Sequence, residues 1–84
     1  MKITTPASNQ TLIETPAFRA LLSYGVPQVV VLHNEGLTLV NSKKYTNTTN
    51  KHRNAAVRDY APSNFTIIEA TPETIQEITG LETR

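Results

Sequence analysis

The densest apolar stretch of the chain, Val29-Val30-Val31-Leu32, is followed by turn formers and then by the alternating Leu37 and Leu39. Four consecutive β formers, a Gly-closed turn at Asn34-Glu35-Gly36 and a second alternating run predict a hairpin over about 27–45. Its return strand continues through Ser42 to Tyr45. Phe65-Thr66-Ile67-Ile68 predicts another strand. Residues 1–14 alternate only weakly, with Ile3, Leu12 and Ile13 among polar neighbours, and predict a loose lead-in with one short strand. Residues 15–25 read two ways. Thr15-Pro16 resembles a helix start and Phe18, Leu21 and Leu22 have helical spacing, yet Leu22-Ser23-Tyr24 alternates as a strand does.

Two helices complete the pattern. Thr48 or Thr49 can cap one spanning about 49–59, which Ala61-Pro62-Ser63-Asn64 ends. Thr71 caps a second over 72–79, where Pro72 and Glu73 open it, Ile75 and Ile78 face inward and Gly80 closes it. The expected class is α+β: a small antiparallel sheet of three or four strands with both helices on one face.

The chain has 84 residues, enough for one domain over 1–84 with a thin core. Only five residues are aromatic, there is no Trp, and there is no Cys. Disulfides and thiolate metal sites are therefore excluded, and two isolated histidines, His33 and His52, do not make a structural zinc site. No cofactor motif is present, so neither metal nor cofactor is expected. Self-association is the remaining supplement for so small a core, and a homo-oligomer is expected. The apolar run at 29–32 is too short for a bilayer and the N-terminus lacks a signal-like hydrophobic core, so a soluble cytoplasmic protein is expected.

Charge changes the picture. The net charge is only +1, yet five of the eight Lys and Arg lie within residues 43–58: Lys43, Lys44, Lys51, Arg53 and Arg58. No acid falls between Glu35 and Asp59, whereas five acids follow from Asp59 onward against Arg84 alone. The helix predicted near Thr48 would present unpaired N–H groups and the positive end of its dipole where Lys51, His52 and Arg53 stand. An anion would turn that unfavourable arrangement into a favourable one. The hydroxyls of Thr48 and Thr49, the backbone amides and Lys51 could hold a phosphate, with Lys43, Lys44 and Arg58 adding charge. Tyr24, Tyr45 or Tyr60 could stack on a base. The plainer reading gives the same residues a solvated face and ordinary caps. His52 invites a catalytic reading, but no Ser–His–acid or paired-carboxylate pattern accompanies it, and packing against the sheet is the favoured role. Phosphate-loop, HExxH and EF-hand patterns are absent, and no enzyme is expected.

Ser23-Tyr24-Gly25-Val26-Pro27, the Gly36 hairpin and Tyr45-Thr46-Asn47-Thr48-Thr49-Asn50-Lys51-His52 together resemble a motif of small phage-encoded proteins of unknown function. Those chains read SY-x-TP-x-A, then a strand and turn, then YS-x-TTSKH and a helix. The resemblance covers about residues 22–58. Tyr45, Thr48, Thr49, Lys51 and His52 match directly, whereas Val26, Asn50 and Arg53 depart from the pattern. It implies an extended segment over about 20–25 and a setting in which small proteins counter host defences. The expected function is therefore non-catalytic sequestration of a phosphate-bearing ligand such as a nucleotide immune signal. Nucleic-acid binding and docking on a host protein are the alternatives.

Overall fold

A computed structural model of the chain describes residues 1–81. Its elements are β1 (Lys2–Thr4), β2 (Gln10–Glu14), β3 (Phe18–Ser23), β4 (Val26–Leu32), β5 (Leu37–Asn41), α1 (Asn47–Tyr60), β6 (Thr66–Ala70) and α2 (Pro72–Thr79). All six strands form one sheet whose spatial order follows the sequence. The first five are an antiparallel meander, and β6 lies parallel to β5. A parallel neighbour needs a long crossover, which α1 supplies. The α+β class stands, with a sheet larger than the three or four strands expected.

The helices lie on opposite faces of that sheet, not on one. Leu12, Leu21 and Val29 pack with Ala56 of α1, while Ile13, Ala20, Leu22, Val30 and Leu39 pack with Ile75 of α2. Adjacent residues of one strand point to opposite faces, so the two sets line the two sides. This double covering explains Val29-Val30-Val31-Leu32: a central strand buried on both faces has no polar side to alternate with. It also explains β2, where Leu12 and Ile13 are both buried and break the alternation. β1 has the converse disguise, since all three of its residues are exposed. The supposed lead-in thus contributes two strands.

Residues 20–23 are extended, as the strand reading required, and Tyr24-Gly25 is a two-residue turn rather than part of the strand. Their φ values are +51° and +78°, and positive φ at both positions is the backbone of a type I′ hairpin. Glycine adopts this freely. Tyrosine does not, and its presence there is a true outlier. Just beyond, Leu21 pairs with Val29 but Leu22 pairs with Pro27, so Gln28 is an extra residue in β4. The bulge accommodates a proline within an interior strand.

The second hairpin turns through His33–Gly36, with Gly36 at φ +67°, and its return strand ends at Asn41 rather than Tyr45. α1 starts earlier than expected because Thr46, not Thr48 or Thr49, is its cap: the Thr46 hydroxyl accepts from the Thr49 N–H. α2 spans the expected residues. Thr71 caps it, and Gly80 ends it at φ +75°. Ile75 is fully buried, whereas Ile78 is 49% exposed and does not face inward. No helix among the described residues is long and apolar enough to cross a membrane.

Candidate functional site

α1 is a polar helix that buries only Thr49 and Ala56. Apolar contact alone gives it little hold on the sheet, so polar contacts must fix its position. They do so at its N-terminal end, and that requirement decides what becomes of the basic window.

Arg53 is committed to structure. One guanidinium nitrogen donates to the carbonyls of Asn41 (2.8 Å) and Lys43 (3.0 Å), and the other donates to Asn50 Oδ1 (2.9 Å). A planar donor fork meets three fixed acceptors and ties the linker after β5 to the second turn of α1. Asn41, 1% exposed, works from the strand side. Its amide donates to the Pro27 carbonyl (2.9 Å) and Tyr45 Oη (3.3 Å), while its Oδ1 accepts from the Lys43 N–H (2.9 Å). Lys43 Nζ sits 5.3 Å above the Tyr45 ring, within cation–π range.

A second polar cluster joins α1 to the end of β3. Ser23 is 1% exposed. Its hydroxyl donates to Thr49 Oγ1 at 3.2 Å and lies 2.8 Å from His52 Nδ1. The Ser23 hydroxyl thus sits between Thr49 Oγ1 and His52 Nδ1. Ser23 is closed to solvent. No group of three or more His, Asp or Glu that could hold a metal ion converges among the described residues. His52 is half-buried beside the end of β3, with its Nδ1 against the Ser23 hydroxyl. The Tyr24 ring stacks on it with centroids 6.3 Å apart and planes 21° from parallel. Tyr24 remains 52% exposed. Its Oη accepts from Asn9 Nδ2 at 3.3 Å.

The structure sorts the candidate residues into groups. Lys43, Lys44, Thr48 and Lys51 are exposed around the start of α1. Tyr24 and Tyr45 lie at the same end of the domain, the former in the β3–β4 turn and the latter in the linker. Thr49 and Arg53 are occupied internally, and His52 is half-buried between Ser23 and Tyr24. Arg58 stands apart in the last turn of α1, where it pairs with Asp59 at 3.2 Å across a largely exposed surface. The first turn of α1 carries no acid.

Ser23, Asn41 and Asn50 were not among the candidate site residues read from the sequence. Ser23 and His52 are 29 residues apart, and no spacing rule links them. The described surface forms no pocket, so any ligand at this end would lie on an open face. Comparison of the chain with protein-family models, with curated proteins and with solved structures finds no match in any of the three.

Proposed function

We propose that the α1 end of this domain binds a phosphate-bearing small ligand without catalysis. The observation that carries the reading is the grouping of Lys43, Lys44 and Lys51, all exposed, around a helix start with no acid in its first turn. Thr46 satisfies the Thr49 N–H, which leaves the preceding amides of that turn for an incoming anion. Lys43 and Lys44 precede the Thr46 cap and Lys51 follows the first turn, so an anion at the amides of that turn would have cations before and after it along the chain. Tyr24 adds a second support. Its exposed ring is held in a left-handed conformation that costs roughly 1–3 kcal/mol, and such strain concentrates at functional sites. Such an exposed ring offers a face on which a base can stack.

Sequestration, in preference to signalling, is proposed from the resemblance of residues 22–58 to small phage-encoded proteins. A long nucleic acid fits less well, because the net charge is +1 and the acids of β6 and α2 lie on the same small molecule.

The test is a thermal-shift panel of inorganic phosphate, mononucleotides, cyclic nucleotides and short oligonucleotides. A ligand at about 100 times its Kd should add about 2.7 kcal/mol of stability. Lys51→Glu is expected to abolish the shift while leaving the unliganded melting temperature nearly unchanged, since Lys51 is exposed. Arg58→Glu is expected to leave the shift in place. Equal loss in both variants would mean diffuse attraction, and no shift with any ligand would reject the proposal.

A further inference from the structure

We infer that β6 is a self-complementary edge through which two copies of this chain pair antiparallel, about a two-fold axis at Ile68. Four of the five residues of β6 are exposed, including Ile67 at 53% and Ile68 at 40%. Edge strands that must remain unpaired are usually protected by proline, lysine or a bulge. β6 contains no proline or lysine, its one charge is Glu69, and its register with β5 is unbroken. Ile78 of α2 is also exposed, on the face towards which Ile68 points.

The hydrogen-bond pattern selects the occupant. The Thr66 N–H bonds to the Gly36 carbonyl, and the Ser42 N–H bonds to the Ala70 carbonyl. A parallel ladder alternates, so Thr66, Ile68 and Ala70 face β5, while Ile67 and Glu69 turn their N–H and C=O groups outward. An antiparallel copy centred on Ile68 sets Ile67 opposite the partner's Glu69, and Glu69 opposite the partner's Ile67. Both are hydrogen-bonded pairs, so all four outward-facing N–H groups of the two strands meet carbonyls. Between them, Ile68 faces the partner's Ile68 across a non-hydrogen-bonded pair, where side chains approach most closely.

Neighbouring registers are worse. Moving two residues one way opposes Glu69 to the partner's Glu69, a like-charge pair. Moving the other way requires Phe65, whose N–H already bonds to the Pro62 carbonyl. Charge and hydrogen bonding thus agree on one symmetric register. A small domain without Cys also gains most from such an extension of its core. β1, with three residues, is a shorter edge, and pairing it with a partner's β6 would build an open chain instead of a closed dimer.

The test is sedimentation velocity on the ligand-free protein over a wide concentration range. The wild type is expected to be a dimer. Ile67→Pro deletes an outward N–H without removing a bond to β5, and Ile68→Lys sets two cations face to face. Each is expected to shift the midpoint of dissociation at least tenfold towards the monomer, with the circular-dichroism spectrum unchanged. Lys51→Glu should leave the dimer intact, so failure of the phosphate proposal and failure of this one are separable. A wild type that is monomeric throughout would overturn the inference. So would a dimer that Ile68→Lys leaves unaffected, because that variant alters an exposed side chain and does not depend on tolerance of proline.

Discussion

Ile75→Ala is expected to lower stability by about 2–5 kcal/mol, the largest loss of any single truncation in α2. Ile75 is the one buried residue of that helix and is fully enclosed. It inserts among Ala20, Leu22, Val30 and Leu39, the side chains that make one face of the central strands apolar. Truncation removes the apolar area and leaves a cavity that flanking strands, fixed by their ladders, cannot close. Domains of this size have ~5–15 kcal/mol in total, and each kcal/mol moves the melting temperature by about 4–8 °C. The fall should therefore be at least about 8 °C in a thermal melt. Ile78→Ala, three residues on and half exposed, is expected to change stability by about 0.5 kcal/mol or less in the isolated chain. Equal effects from the two would mean that α2 is not seated as described.

Arg53→Ala is expected to follow, at roughly 2–3 kcal/mol. Hydrogen bonds from a charged donor contribute about 1.5–3 kcal/mol each, and the three made by Arg53 share one side chain and do not add. The loss has two parts. The linker carrying Lys43 comes free of α1, and the Asn41 carbonyl loses its partner at the buried end of β5. Arg53→Lys should recover little, since an ammonium cannot span two carbonyls and an amide in fixed directions. Urea denaturation measures this directly. Arg53→Ala should also weaken anion binding, because it unfixes the lysines. Lys51→Glu should weaken binding without the loss of stability. That contrast separates the two roles within one run of basic residues.

The features that the sequence revealed were those with local causes. α2 was legible at both ends because a threonine cap, an early proline and a left-handed glycine each act within a few residues. The β4–β5 hairpin was legible for the same reason, through its β formers and Gly36. The helix placement was not. Val29 and Val30 point to opposite faces, and their adjacency already implied cover on both sides, but only the packing of Ala56 and Ile75 shows which helix covers which face. β1 and β2 were hidden because neither alternates: one is exposed throughout and the other has adjacent buried residues.

The candidate site divides along the same line. Charge density is a local property, and it marked where the exposed lysines of the start of α1 lie. What each cation does is not local. Arg53 finds backbone carbonyls, which every residue carries, so nothing in composition distinguishes its acceptors. Tyr24 meets His52 only because the type I′ turn ends β3 beside α1.

The central claim is that a phosphate-bearing ligand binds at the start of α1. The most direct test is a titration followed by amide chemical shifts in two-dimensional nuclear magnetic resonance, using the nucleotide that gives the largest thermal shift. The expected result is a saturable perturbation confined to Tyr24, Lys43, Lys44 and the Asn47–Lys51 amides, with Arg58 and α2 unmoved. Perturbations centred on β6 or α2, or none at saturating nucleotide, would contradict it.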